Sequence, residues 1–218
     1  MTDKLKALLS ILSLLVIYNI ITLLTTFAWV SIAGINNVSS NAFNFLSFCF
    51  LMPLLYFYSK SQKINLWKLE STVSFKWILL SVALGVMFAS CQLIFMKYTN
   101  HLPKQIPTDP TLGFISAEII GVGILTPIAE ELCFRKWMIL YMEKHDFSKY
   151  TIILVSSILF YLWHQNFVIL NAMWRVDTIL FGIVQCLLFM KTRNIYYCMI
   201  LHGVANLSIH ALEYQLLF

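Results

Sequence analysis

The chain has 218 residues, of which 60% are hydrophobic and 11% are charged, and its net charge is +5. A soluble domain carries about a quarter charged residues, so this composition excludes a water-soluble globular fold and predicts that lipid surrounds much of the chain. The basic residues stand singly between apolar runs. We interpret them as topology markers, and the charge does not indicate a nucleic-acid partner.

Long apolar runs predict an all-α, multi-pass transmembrane helical bundle of about seven spans. A helix needs about 20 apolar residues to cross the hydrocarbon core, and runs without alternation of polar and apolar residues favour helices over strands. The first run follows Lys4 and Lys6, as in a signal sequence, but its length suits a spanning helix. The predicted spans are 5–30, 42–58, 75–96, 112–141, 150–170, 178–190 and 195–217.

The basic residues also predict an orientation. If the N-terminus is cytoplasmic, the inside segments hold eleven Lys and Arg residues, and the outside segments hold Lys97, Lys104 and Arg175. This positive-inside bias predicts a cytoplasmic N-terminus and supports an odd number of spans.

Five cysteines lie inside the apolar runs, and none forms a Cys-x-x-Cys pair. The odd number and the placement argue against a disulfide framework or a structural zinc site. We expect all five to be small buried hydrophobic residues, the usual behaviour of free cysteine. They are Cys49, Cys91, Cys133, Cys186 and Cys198.

The fourth predicted span contains two adjacent carboxylates and an arginine. Charged side chains inside a membrane cost several kcal/mol unless they are paired or solvated, so they indicate a functional site. Glu131 and Arg135 are spaced i, i+4 and can pair along one helix face. Glu130 then points about 100° away and is free to face a cavity. Pro127 removes a backbone hydrogen bond just before the two carboxylates.

Two later spans add histidines and an amide. His164 ends the sequence Phe-Tyr-Leu-Trp-His in the fifth span, while His202 and Asn206 stand one helical turn apart in the seventh. At about 1.5 Å per residue, Glu130, His164 and His202 lie roughly 16, 21 and 10 Å from the predicted cytoplasmic ends of their spans. These depths are compatible with one shared site below the membrane surface.

These residue types can hydrolyse an amide. A carboxylate near a histidine can hold and deprotonate a water molecule, and a second histidine with an asparagine can donate hydrogen bonds to an oxyanion. Glu130, His164 and His202 also form a known zinc ligand set. A divalent metal such as zinc is therefore a candidate cofactor, and a metal-free mechanism is the alternative.

Structural interpretations compete at several of these positions. Glu131 and Arg135 can form a purely structural pair, and His164 on its own would be read as a packed bundle histidine. Asn206 can simply bond to a neighbouring helix. Buried Glu and His residues are also compatible with a proton-linked transporter.

Three motifs in order, Glu-Glu-x-x-Phe-Arg, Phe-x-x-x-His and His-x-x-x-Asn, resemble the CPBP family. These are the CAAX-processing and bacteriocin-associated intramembrane proteases, also called the Abi family. The resemblance covers roughly residues 112–207. It predicts a catalytic helical core at 112–218 and N-terminal transmembrane helices at 1–111, integrated into one membrane domain.

The resemblance implies roles for the motif residues. Glu130 matches the glutamate that activates water, and His164 matches the histidine that helps hold it. His202 and Asn206 match the pair proposed to stabilise the oxyanion.

At Glu131 and Arg135 the resemblance implies supporting positions, where an ion pair would orient the catalytic glutamate. It further implies a bacterial plasma-membrane endopeptidase that acts on a membrane-bound peptide or protein. Candidates are a peptide precursor, a bacteriocin or pheromone, or a CAAX-like C-terminus. The alternative is a non-enzymatic bacteriocin-immunity protein that uses the same pocket for binding.

Overall fold

The computed structural model describes residues 2–33, 40–68, 71–98, 119–164 and 176–216, and within these ranges the chain forms seven helices and no strand. The fourth helix, α4, is described over 119–144 and contains the consecutive stretches Gly121–Leu125, Thr126–Glu131, Leu132–Trp137 and Met138–Lys144. The predicted helical membrane bundle is confirmed. The other helices are α1 (Asp3–Ala33), α2 (Ser40–Ser61), α3 (Phe75–Tyr98), α5 (Lys149–Trp163), α6 (Val176–Thr192) and α7 (Ile195–Leu216).

The outer surface of the bundle is apolar. Among the described residues, Asp3–Thr25 in α1 and Phe75–Phe95 in α3 are long and apolar enough to cross a membrane, with mean hydropathies of 2.4 and 2.3. In the most apolar 18-residue window of each stretch, only 28% and 22% of the residues are buried inside the protein. An apolar helix with most of its surface outside the bundle needs hydrocarbon as its solvent. The chain is therefore an integral membrane protein.

The centre of the bundle is α4. Every residue from 129 to 139 is buried, and α4 contacts α1, α2, α5, α6 and α7. Two of its stretches, Gly121–Leu125 and Leu132–Trp137, are π-helical, and such turns are frequent at functional sites. The two adjacent carboxylates lie between them.

Glycines bring α7 against its neighbours. A Cβ atom on Gly203 of α7 would lie 2.5 Å from the carbonyl oxygen of Gly123 in α4, and one on Gly85 of α3 would lie 2.7 Å from the carbonyl oxygen of Leu201. Both distances are too short for any side chain, so these helix contacts require glycine. They hold the helix that carries His202 in a fixed position beside α4.

The basic connections between helices meet at one end of the bundle. The Nζ atoms of Lys144 and Lys136 donate to the carbonyl oxygens of Gln62 and Lys68, at 2.9 and 3.0 Å. Arg193, between α6 and α7, pairs with Glu143 of α4 at 2.7 Å. Three connections that the sequence assigns to the cytoplasm thus share one end, and the assignment of that end to the cytoplasm stays a prediction.

The expectation of five buried cysteines is wrong for two of them. Cys133, Cys186 and Cys198 are buried, whereas Cys49 and Cys91 are exposed. Cys49 lies on α2 and Cys91 lies on α3, and the apolar faces of both helices are turned toward lipid. An apolar run in a membrane protein therefore predicts contact with hydrocarbon, and does not predict burial against protein.

Candidate active site

Pro127 interrupts the hydrogen-bond ladder of α4 next to the two carboxylates. In the π-helical stretch before it, the Thr126 N–H donates to the carbonyl oxygen of Gly121, five residues back. The next bond in this pattern would join residue 127 to the carbonyl of Val122, but proline has no N–H. Asn206 of α7 supplies a donor instead, with its Nδ2 atom 3.0 Å from the Val122 oxygen. The missing backbone donor thus fixes the Asn206 amide beside the site.

Glu130 occupies the middle of the site. Its Oε2 atom lies 3.4 Å from Nε2 of His164 and 3.9 Å from Nε2 of His202. This oxygen is buried and has no hydrogen-bond partner. Three helices, α4, α5 and α7, therefore bring three of the predicted residues together inside the bundle.

Both histidines are oriented through their other ring nitrogen. His164 Nδ1 lies 2.8 Å from the carbonyl oxygen of Phe160, and His202 Nδ1 lies 2.7 Å from Oε1 of Glu131. A carbonyl and a carboxylate only accept hydrogen bonds, so each Nδ1 is assigned the proton. The Nε2 atom of a neutral ring then presents a lone pair toward Glu130 Oε2. Three acceptors converge on one point, which is the environment of a bound water, a proton or a cation.

Glu131 connects His202 and Arg135 in a buried polar network. Its Oε1 atom binds His202, and its Oε2 atom lies 3.2 Å from Nε of Arg135, with both side chains completely buried. The guanidinium of Arg135 lies 3.9 Å above the Phe160 ring, an arrangement that stabilises a desolvated cation. The sequence indicates the pair of Glu131 with Arg135, but it does not indicate that Glu131 reaches His202.

Trp163 is a site residue that sequence reasoning missed. Its indole Nε1 donates to Oε1 of Glu130 at 3.2 Å. The residue immediately precedes His164 in the fifth-span motif, which is the one sequence signal that could have identified it. A tryptophan in a membrane helix more often indicates an interfacial anchor, so this signal is weak.

The carboxylate and the two histidines fit a zinc ion. One ligand atom from each of Glu130, His164 and His202 lies within 4.8 Å of the others. Ligands bonded to tetrahedral zinc are about 3.4 Å apart, and the Glu130–His164 separation is already 3.4 Å. Both histidines have the fixed Nδ1 partner that metal-bound histidines usually have. Small side-chain shifts would complete a three-ligand site with an open fourth position.

A cavity of about 70 Å³ adjoins the histidines. His164, His202 and Asn206 line one part of it, and the rings of Phe88 and Phe181 line another. The two rings, from α3 and α6, meet edge to face with centroids 5.2 Å apart. The site therefore combines polar groups with an apolar wall, as binding sites commonly do.

A membrane helical bundle with a buried carboxylate and two histidines facing one point has the arrangement of an intramembrane hydrolase. Residues 112–208 match the family model described as type II CAAX prenyl endopeptidase Rce1-like. The matched segment contains all three motifs, and the match confirms the resemblance found in the sequence. Comparison with curated proteins and with solved structures gives no match.

Proposed function

We propose that the protein is an intramembrane endopeptidase that cleaves a membrane-associated peptide or protein with water activated by Glu130 and His164. One observation carries the proposal: the unpartnered Oε2 of Glu130 faces the Nε2 atoms of His164 and His202 inside the bundle. A buried carboxylate oxygen without a hydrogen-bond partner is costly. A bound water would satisfy it, and the same water would be the nucleophile.

In the proposed reaction, Glu130 accepts a proton from the water while the water oxygen attacks the carbonyl carbon of the substrate. The proton is then passed to the amide nitrogen, and the C–N bond breaks to give a carboxylate and an amine. His164 Nε2 accepts a hydrogen bond from the same water and so holds it in line.

The oxyanion that forms on the substrate needs hydrogen-bond donors. One hydrogen of Asn206 Nδ2 is used by the Val122 carbonyl, and the second hydrogen of the amide can serve the oxyanion. When Nε2 of His202 holds a proton, the Glu131 carboxylate at 2.7 Å from Nδ1 balances the ring's charge. His202 then becomes a second donor.

Glu130, His164 and His202 are the residues that would hold a metal. A zinc ion there would polarise the substrate carbonyl and make its bound water acidic. The orienting contacts of both histidines serve the site with or without the ion.

We also propose that the protein lies in a bacterial plasma membrane with its N-terminus in the cytoplasm. The basic connections at one end of the bundle support this orientation. The burial of the site favours a substrate that is itself inserted in or anchored to lipid.

The test of this proposal does not require an identified substrate. New peptide termini are compared by mass spectrometry in membranes from cells that express the wild type, Glu130→Gln or Glu143→Gln at equal levels. Glu143 belongs to the same helix but pairs with Arg193 at the basic end, so its substitution controls for loss of a carboxylate. We expect the same new termini with the wild type and Glu143→Gln and none with Glu130→Gln. Identical termini in all three would overturn the proposal and favour an immunity or binding role.

A further inference from the structure

The Glu130 carboxylate has two oxygens with different surroundings. Oε2 faces the two histidines, whereas Oε1 accepts the indole N–H of Trp163 at 3.2 Å. A carboxylate that is held at one oxygen cannot rotate freely about its last bond. The indole contact therefore holds the plane of the carboxylate so that its other oxygen faces the histidines.

The indole ring itself is held by two aromatic neighbours. Tyr18 of α1 stacks on it with ring centroids 4.5 Å apart and an interplanar angle of 26°. Phe134 of α4 meets it edge to face at 5.5 Å. Tyr18 is only 4% exposed, so its ring has little room to move. Stacked and edge-to-face contacts of this kind favour one ring orientation.

We propose that Trp163 is a positioning residue for Glu130, and that α1 supports it through Tyr18. The inference rests on the proposed function and adds two residues to it. Tyr18 lies outside residues 112–208, so the N-terminal helices would contribute to the geometry of the site as well as to membrane insertion.

Indole chemistry suits this role. Tryptophan carries one N–H and no acceptor, so its nitrogen can only donate to the carboxylate. Phenylalanine or leucine would fill the space without a donor. Trp163 does not line the cavity beside the histidines, so its loss should change the reaction step and leave substrate binding intact.

The test replaces a single atom. At position 163 the tryptophan analogue 3-benzothienylalanine, in which sulfur replaces the N–H, is introduced by codon suppression. The probe is an internally quenched peptide that carries the cleavage sequence found from the new termini. We expect kcat to fall about tenfold or more, the loss typical of a hydrogen bond to a charged group. KM should stay within about twofold, since uniform binding is unchanged.

The control places the same analogue at Trp67, which is 62% exposed. That protein should keep the wild-type kcat. Thermal unfolding of the Trp67 control should match the wild type. The protein with the analogue at position 163 should stay folded with only a small fall in Tm, because one hydrogen bond is lost while the ring shape and the Tyr18 stack are retained.

A second variant tests the contribution of α1. Tyr18→Ala removes the stacked ring and should lower kcat by loosening the indole. If Tyr18 acts through Trp163, combining Tyr18→Ala with the analogue should lower kcat no further than the analogue alone, the non-additivity expected of contacting residues. Multiplying losses would contradict that link.

The outcomes separate this inference from the proposed function. Full kcat with the analogue at position 163, in a protein that Glu130→Gln inactivates, would overturn the role of Trp163 and leave the protease intact. A raised KM with unchanged kcat would also contradict it, because Trp163 would then contact the substrate. Cleavage that persists in Glu130→Gln would overturn the proposed function itself.

Discussion

The helices α3 and α4 have opposite surroundings. In the most apolar 18-residue window of α3, within Phe75–Phe95, only 22% of the residues are buried in the protein, and the others face lipid. In α4 all residues from 129 to 139 are buried, and they include two glutamates, an arginine and a lysine.

The difference shows how a bilayer protein can keep charge in its interior. Hydrophobic helices at the outside leave α4 with no lipid-facing surface around its charged residues. There, each charge has a protein partner: Glu131 pairs with Arg135 and His202, and Lys136 reaches the Lys68 carbonyl. A desolvated charge is tolerated when it is paired in this way, and the site can then use the remaining carboxylate, Glu130, for chemistry.

Apart from that of Glu130 in α4, the largest effect is expected at His164, the histidine at the end of α5 that faces this carboxylate. His164→Ala should lower kcat by about 10² to 10⁴, the usual contribution of an acid–base or water-holding side chain. His145→Ala, at the basic end of α4, is the matched control and should retain activity. Steady-state kinetics with the quenched peptide measures both. Equal kcat in the two variants would show that His164 does not take part in the reaction.

Glu131→Gln should separate stability from activity. It leaves Arg135 buried without its carboxylate, which costs about 3–5 kcal/mol of unfolding free energy. Adding Arg135→Met should restore most of the stability, because the unpaired charge is gone.

The double variant Glu131→Gln with Arg135→Met should regain stability but not activity. His202 Nδ1 still lacks its carboxylate, and loss of such an orienting partner costs about 10- to 100-fold. Denaturation in detergent and kcat are measured on the same preparations. Recovery of both quantities in the double variant would mean that Glu131 serves only the ion pair.

Gly203→Ala should weaken the contact between α7 and α4. Its Cβ would lie 2.5 Å from the Gly123 carbonyl oxygen, so the helices must move apart, at a cost of about 1–3 kcal/mol. Gly182→Ala provides a graded comparison, since its Cβ would lie 3.1 Å from Ser157 and should cost less. Thermal unfolding in detergent gives both values. The reverse ranking would contradict the close packing of α7 on α4.

The smallest effect is expected on the lipid-facing side of α3. Leu79 is 53% exposed, so Leu79→Ala leaves no cavity in the protein and should change stability by less than about 0.5 kcal/mol. Leu132 of α4 is fully buried, and Leu132→Ala should cost about 2–5 kcal/mol. Equal losses at the two positions would contradict the placement of Leu79 against lipid and of Leu132 in the protein interior.

Much of the fold could be predicted from the sequence, because hydrophobic runs report contact with hydrocarbon. The apolar pattern predicts α3 at 75–96, and the helix is found at Phe75–Tyr98. The interior was harder to predict, because tertiary contacts determine it. The charge pattern assigns Lys136 to a cytoplasmic segment, yet this residue is 1% exposed, since its amine reaches back to the α2–α3 connection.

In the candidate site, too, contacts within one helix could be predicted from the sequence, and contacts between helices could not. Spacing within one helix places Glu131 beside Arg135 and His202 near Asn206. Spacing could not show that Glu131 binds His202, or that Trp163 donates a hydrogen bond to Glu130. It also could not show that the Val122 carbonyl, which has no backbone donor at Pro127, accepts a hydrogen bond from Asn206. Each of these contacts joins two different helices, and no periodicity in the sequence reports them. The roles of the six motif residues stay predictions.

In the proposed mechanism, Glu130 activates the water that cleaves the peptide bond. The most direct measurement is cleavage of the quenched peptide by purified wild type and Glu130→Gln in proteoliposomes prepared in oxygen-18 water, followed by mass spectrometry of the products. We expect one heavy oxygen in the new carboxylate with the wild type. With Glu130→Gln we expect no cleavage above background, because an amide cannot accept the proton. Cleavage by Glu130→Gln at the wild-type rate would contradict the claim.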